Sequence, residues 1–412
     1  MRILLCVETY LPMINGVVTH VKTLREGLEA LGHQVMVVAA DPNTKRHYLR
    51  DGVLHCPAQA IKRFYNFGVS VPTSNKRFKI IEDFHPDIVH IHHEFSMGLF
   101  GMYVARHLDI PYVYTLHTMY DDYLYYIVPS TFIKETQKLS RRYIRHFAKH
   151  AAAITGPSQK CVDYLRSMGI TKPVHVIPNA VEISKFAPGA VSERDKENVR
   201  ELLALPENKQ IYVFVGRLGT EKNVDTLLKY WKDAVKPEDN RHLLIVGEGP
   251  ALEDLRALSQ ELAISDEVTF AGRVEHEALP PYLAVGDFYI TASLSDTNSI
   301  SMLEGFASGL PVLHLYDELN RNQVDDGING FFYHSPEELS DIMHRLDTMP
   351  AEEMEKLRDG ARDKAISQGP LTLGRNLEAV YKEALEIHPL MKTSLLDIPL
   401  PSNYRLTISR RK

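Results

Sequence analysis

The segment Gly216-Arg217-Leu218-Gly219-Thr220-Glu221-Lys222-Asn223 puts two cations five positions apart on a glycine-containing loop, directly after the apolar run Ile211–Val215. Arginine pairs with two oxygens at once and lysine supplies a mobile point charge, so Arg217 and Lys222 suit a diphosphate. Taken alone, the same residues are equally a solvated loop. Downstream, Ser293-Leu294-Ser295-Asp296-Thr297-Asn298-Ser299-Ile300-Ser301-Met302-Leu303-Glu304-Gly305 carries two carboxylates eight positions apart. One in a loop and one on the next helix could reach two hydroxyl-bearing groups of a single ligand, although acid pairs at this spacing are common by chance. Gly16 opens a helical stretch after the turn Glu8–Asn15, and the free N–H groups of that helix start could hold a phosphate. The turn is not the GxGxxG of dinucleotide binders. Gly247-Glu248-Gly249-Pro250 and Gly272-Arg273-Val274 also lie at strand exits, the former reading as helix-start chemistry with Pro leading the helix. His117 opens His117-Thr118-Met119-Tyr120-Asp121-Asp122-Tyr123-Leu124-Tyr125-Tyr126-Ile127; a lone loop histidine is ordinarily structural or solvated.

The elements that would position these residues alternate. Ile3–Val7, Gln34–Ala39, Ile88–Ile91, Tyr112–Thr115 and Ala153–Thr155 read as strands, with a helix over Val17–Leu31 ended by Gly32. Ile211–Val215, His242–Val246, Glu267–Phe270, Phe288–Ile290 and Val312–Leu315 repeat the rhythm, with helices at Val224–Trp231, Leu252–Leu262 and Met302–Ser308. Strands alternating with helices predict an α/β chain of two doubly wound, Rossmann-like parallel sheets facing a cleft. Ligands of such sheets sit outside the carboxyl ends of the strands, where all the residues above lie. The expected domains are 1–186 and 187–373, with a polar hinge around Pro178–Gln210 and residues 374–412, helical over Asn376–Ile387, packing back on the first.

In this order, the Gly16 turn, the Gly-Arg-Leu…Glu-Lys-Asn loop, the Gly-Glu-Gly-Pro turn and the Asp296…Glu304 pair followed by Ala307-Ser308-Gly309-Leu310-Pro311 resemble the GT-B nucleotide-sugar transferases of glycosyltransferase family 4. The resemblance covers most of the chain and implies a retaining glycosyltransferase. Arg217 and Lys222 match the pair that holds the donor diphosphate and neutralises the leaving nucleotide. Gly16, Gly216, Gly249, Val274, Asn298, Ser299 and Ile300 fall on donor-binding positions, Glu304 on the acid that binds the donor ribose and Asp296 on the acid that meets the sugar. Asp296 stands where the family favours Glu, and Asn298-Ser299-Ile300 replaces a Gln-Gly-Leu-like run, which leaves the donor sugar open. His117-Thr118-Met119-Tyr120-Asp121-Asp122-Tyr123, with Glu94-Phe95-Ser96-Met97-Gly98, resembles bacterial diacylglycerol glycosyltransferases. This resemblance implies His117 beside the reacting carbon and Tyr120 and Tyr123 on the acceptor side. The implied substrates are a nucleotide sugar, UDP-glucose first, and a lipid hydroxyl. The run His90-Ile91-His92-His93-Glu94 invites a metal reading, but His90 and His92 point to one side of a strand and such transferases need no cation. No bound metal or other cofactor is expected, and loss of activity with EDTA, restored by a divalent ion, would reverse that.

The charge is distributed unevenly. Residues 1–186 carry 22 Lys and Arg against 15 Asp and Glu, and residues 187–412 carry 25 against 38, so the first half faces something anionic. The acidic second half argues against nucleic acid. Lys134, Lys138, Arg141, Arg145 and Lys149 recur at three- and four-residue spacing, the pattern of a cationic amphipathic helix on an anionic bilayer. The stretches Lys62–Phe67 and Asn75–Lys79 interleave basic and aromatic residues in the same way. Ordinary surface explains both equally simply. No apolar run approaches the roughly 20 residues that span a bilayer, and three widely spaced cysteines fit a reducing compartment. The expected location is therefore the cytoplasm, peripheral at the inner membrane face. A soluble or polymeric glycan acceptor, and a nucleotide-sugar-binding protein that transfers nothing to lipid, are the competing readings. The oligomeric state is not legible.

Overall fold

The computed structural model describes residues 1–13, 15–61, 67–122, 132–236 and 238–387. The cationic stretch 62–66, Tyr123 and the tail 394–412 fall outside them. The first domain contains β1 (Arg2–Val7), β2 (Gln34–Asp41), β3 (Tyr48–Arg50), β4 (Val53–Ile61), β5 (Phe67–Ser70), β6 (Ile88–Ile91), β7 (Tyr112–Thr115), β8 (Ala153–Gly156) and β9 (Val174–Val176). The second contains β10 (Gln210–Val215), β11 (Arg241–Val246), β12 (Val268–Gly272), β13 (Phe288–Thr291), β14 (Val312–Leu315) and β15 (Gly330–Tyr333). Among the described residues the sheets run β3-β4-β2-β1-β6-β7-β8-β9, with β5 beside β4, and β12-β11-β10-β13-β14-β15. Every pair in the second sheet is parallel, whereas β3 and β5 join β4 antiparallel at one edge of the first.

Helices cover both faces of each sheet, so central strands are apolar throughout rather than alternating. In β1, Leu4 and Cys6 pack among Phe100, Val104 and Phe147, while Ile3, Leu5 and Val7 pack among Val18, Leu24 and Leu377. Leu377 belongs to helix Pro370–Ile387, which crosses back from the second domain onto helix Gly16–Ala30. The crossing is backbone on backbone. A Cβ on Gly27 would lie 2.0 Å from the Pro370 carbonyl oxygen, and one on Gly374 2.8 Å from the Gly27 carbonyl carbon.

The expected central strands form within a residue or two of their predicted bounds. Differences lie at the edges: β3, β4, β5, β9 and β15 are not anticipated, because they are short or, like β4 with His55 and Pro57, interrupt the apolar pattern. The stretch Pro178–Gln210 is not a polar hinge. It forms helices Ile183–Phe186 and Glu193–Leu203, and its Val181, Phe186, Val199 and Leu205 are buried in the second domain's core. Pro250 does not open a helix either; the turn continues until Leu252.

Each sheet has one place where neighbouring strands send their connections to opposite sides, β1/β6 in the first and β10/β13 in the second. Such switch points open a crevice at the strands' carboxyl ends. The loops leaving β1, β6, β10 and β13 therefore form the floor and walls of the cleft between the domains.

Candidate active site

After β10 the chain turns through Gly216–Asn223, and after β11 through Gly247–Ala251. The two loops lie backbone against backbone, with Leu218 N–H donating to the Glu248 carbonyl at 2.9 Å. A Cβ on Gly247 (φ 140°) would sit 1.9 Å from the Gly216 oxygen, and one on Gly249 2.3 Å from the Leu218 oxygen. Gly247 and Gly249 thus let one loop brace the other. Asn223, in the left-handed region at φ 57°, ends the turn and donates to the Ala292 carbonyl after β13 at 3.1 Å. This tie brings Lys222 to Asp296, and the ammonium and carboxylate hydrogen-bond directly. Burial alone would raise the Asp296 carboxyl, but the Lys222 charge overrides it and holds the group below its usual range.

Eight residues on, Glu304 is buried on helix Ile300–Ala307 and meets Nε2 of His276, in the segment after β12, at 2.6 Å. Hydrogen bonding to Glu304 raises the His276 pKa above its ordinary value. Glu304 and His276 line a small pocket with Thr19, Lys22, Glu182 and Phe186. Ser299 caps the Glu304 helix, its Oγ accepting from Met302 N–H at 3.3 Å, and Ile300 faces the other domain: a Cβ on Gly16 would lie 3.9 Å from Ile300 Cδ1. The Gly16 helix is capped in turn by Asn15, which accepts from Val18 N–H at 3.0 Å.

On the first domain, His117 leaves β7 and its Nε2 lies 3.0 Å from Nδ1 of His92. Its carbonyl accepts from Thr297 Oγ1 at 3.4 Å, which places it beside the Asp296 loop. The His20 ring centroid is 4.6 Å from that of His117. Burial pushes His20 down to about 4, and His92 and His117 well below the ordinary histidine value, so all three rings are neutral. His20 does not stand out in the sequence, and His92 shows there only within the His90–Glu94 run, with no sign of its pairing with His117. His20 lies one helical turn after Gly16, which is the one local signal that aims it at the same cleft.

Residues 14–185 match Glycosyltransferase Family 4, and residues 195–364 match Glycosyl transferases group 1. The alpha-monoglucosyldiacylglycerol synthase of Streptococcus pneumoniae is 30% identical over 340 residues, covering 82% of this chain and 77% of that protein. That of Acholeplasma laidlawii is 30% identical over 343 residues, 82% of this chain and 86% of its own. The chain belongs to glycosyltransferase family 4. A GDP-mannose-dependent alpha-mannosyltransferase of Mycobacterium tuberculosis is 29% identical over 317 residues, 76% of this chain and 78% of that one. The fold matches that of Anabaena HepE in complex with UDP and glucose at a TM-score of 0.69 and 16% identity, covering 93% of this chain and 99% of HepE. The two facing Rossmann-like domains are those of a GT-B glycosyltransferase.

In this glycosyltransferase, Lys222, Asp296, Glu304, Gly16, Ile300 and His117 converge on one cleft, with Arg217 on the β10 loop and Val274 half-buried after β12. Three expected residues are engaged elsewhere. Asn298 accepts from Asn179 N–H at 2.9 Å through its side chain and from Asn179 Nδ2 at 2.7 Å through its carbonyl, joining the two domains. Tyr120 is turned inward, its hydroxyl donating to the buried Glu94 at 2.5 Å, because that carboxylate, raised by burial, needs donors. Arg141 is paired with Asp121 at 2.7 Å and so is the least free of the five expected membrane cations. Lys134, Lys138, Arg145 and Lys149 are exposed on helix Ile133–His150, as are Arg142 and the apolar Phe132 and Leu139. Among the described residues no helix is long and apolar enough to cross a membrane.

Proposed function

We propose that this glycosyltransferase transfers a hexose, glucose first among the candidates, with retention from a nucleotide-diphosphate sugar to the hydroxyl of diacylglycerol at the cytoplasmic face of an anionic membrane. The observation that carries the lipid acceptor is the exposed face Lys134, Lys138, Arg142, Arg145 and Lys149, flanked by Phe132 and Leu139, on the domain that also carries His117. Cations beside exposed apolar residues suit an anionic interface. The names of the two diacylglycerol synthases support the same reading.

In the cleft, Arg217 and Lys222 take the diphosphate, Gly16's helix start approaches it from the other domain, Glu304 accepts from the ribose hydroxyls, and His117 and Asp296 hold the sugar. The bond from the anomeric carbon to the phosphate oxygen breaks as the acceptor oxygen bonds the same face. The acceptor's proton passes to the departing phosphate oxygen, and the two cations neutralise the charge left there. No metal is assigned to this step.

Product analysis on diacylglycerol vesicles, with and without anionic lipid, tests this with UDP-glucose, UDP-galactose and GDP-mannose. The reading expects a glucolipid formed faster on anionic vesicles. Mannolipid would favour the donor named for the mycobacterial relative. Nucleotide release without glycolipid would move the acceptor to another hydroxyl.

A further inference from the structure

Three imidazoles from three elements meet beneath the cleft: His20 on the first helix, His92 one residue past β6 and His117 two residues past β7. One ring nitrogen of each lies within 4.8 Å of those of the other two. The proton positions follow from the partners. Asn179 gives its amide hydrogens to the Asn298 carbonyl, so its oxygen faces His20 Nδ1 at 2.8 Å, and an oxygen only accepts. His20 therefore carries its proton on Nδ1, and Nε2 keeps its lone pair. That Nε2 is buried without a hydrogen-bond partner among the described residues. Buried polar atoms left this way cost stability and call for an explanation such as an ion. An oxygen behind the far ring nitrogen, as Asn179 stands behind His20, is also what orients imidazoles bound to metals.

We propose that His20, His92 and His117 bind one zinc-class divalent ion when no donor occupies the cleft, and that the bound ion inhibits transfer by engaging His117. Three neutral nitrogens, completed by one water, suit Zn²⁺, whereas Mg²⁺ and Ca²⁺ require oxygen ligands. Zn–N bonds of about 2.0–2.1 Å bring ligand nitrogens to about 3.4 Å from one another. The His92–His117 pair is already at 3.0 Å, and rotation of the His20 ring closes the remainder. As the ion enters, the proton shared between His92 and His117 moves, by exchange with water, to the far nitrogen of the ring that carries it, so all three imidazoles bind neutral. The metal site does not depend on the glycosyltransfer reading; only the inhibition does.

The full chain, stripped with a chelator and dialysed, is titrated with Zn²⁺ against a chromophoric competitor. One ion per chain is expected, with affinity falling at least tenfold in His20→Gln and in His92→Gln. It should be unchanged in His150→Ala, which removes the surface pair His146/His150, whose ring centroids are 4.7 Å apart. Co²⁺ in the wild-type protein should give the intense visible bands of a four-coordinate ion, a result that does not depend on any variant folding. No stoichiometric binding, the pale spectrum of six-coordinate Co²⁺, or loss of binding in His150→Ala overturns the site. In a separate assay, Zn²⁺ should slow donor turnover at the concentration that fills the site, with EDTA restoring it. Binding without inhibition overturns the inhibitory half alone, and failure of transfer in metal-free protein with every donor counts against the proposed function and leaves the site standing.

Discussion

Lys222 and Asp296 hold one another, so a diphosphate must draw Lys222 away before that ammonium can neutralise the leaving group. Losing one such charge from a preorganised site costs about 10²–10³ in kcat. Lys222→Ala should lower kcat by that factor in a steady-state assay, and a loss under tenfold would reduce Lys222 to a partner for Asp296. His276 stands to Glu304 as Lys222 does to Asp296. Its pKa is raised, chiefly by Glu304, with Glu277 adding to the rise and burial and Lys185 opposing it. The charged pair is therefore fully formed below the ordinary histidine value and is lost as pH climbs through the raised one. Ribose hydroxyls compete for the same carboxylate, so UDP or GDP affinity should rise severalfold between about pH 6 and pH 8, and His276→Gln should flatten the dependence in calorimetry. A pH-independent wild type would show that the nucleotide does not displace His276. Lys222, Asp296, Glu304 and His117 are legible in the sequence through the family motifs they stand in, the first two and His117 in loops at strand exits and Glu304 on the helix that follows. His20 and His276 are not, because their partners lie 97 and 28 positions away and only the folded sheets bring them together; His92 shows in the His90–Glu94 run, but its partner His117, 25 positions on, does not.

Among the elements, the central strands are readable because burial on both faces leaves unbroken apolar runs, whereas the edge strands follow no such rule. β4 carries His55 and Pro57 in mid-strand, and its place is set by pairing with β2, not by its own pattern. Pro178–Gln210 misleads for the opposite reason: most of its charged residues face water, while Phe186, Val199 and Leu205 anchor it in the second core. The last helix shows what spacing alone misses. Asn376–Ile387 reads as helical, but the helix runs from Pro370, and its contact is fixed by two glycines, Gly27 and Gly374, that let the backbones touch. Gly27→Ala would drive a methyl group onto the Pro370 carbonyl, and overpacking of this kind costs about 1–3 kcal/mol. The variant should unfold at a lower temperature than wild type. A Gly27→Ala protein as stable as wild type would mean that the last helix can shift without loss.

At the scale of the whole molecule, a buried ion pair ties the two domains together at the rim of the cleft. Lys160, on the first domain's helix Gln159–Ser167, reaches the Leu294 carbonyl of the second and Asp317 Oδ2 at 2.6 Å. Only 8% of the Lys160 side chain and 11% of that of Asp317 is exposed. Leu294 lies two residues before Asp296, so the ammonium holds the loop that carries the sugar-side carboxylate against the domain that carries His117. Removing one partner of a buried ion pair is expensive, about 3–5 kcal/mol, because the other charge is left without compensation. Lys160→Met keeps the apolar stem but leaves Asp317 charged at the junction, and the carboxylate regains water most cheaply if the domains part. The variant should keep its secondary structure, show a larger radius of gyration in solution scattering, and raise KM for the donor more than it lowers kcat. Adding Asp317→Asn removes the stranded charge while keeping an oxygen for Leu319 N–H, which Asp317 Oδ1 accepts at 3.1 Å. The double variant should therefore recover part of the compact form. If Lys160→Met is as compact as wild type and binds donor equally well, the closed arrangement rests instead on Asn179–Asn298 and the crossing helix.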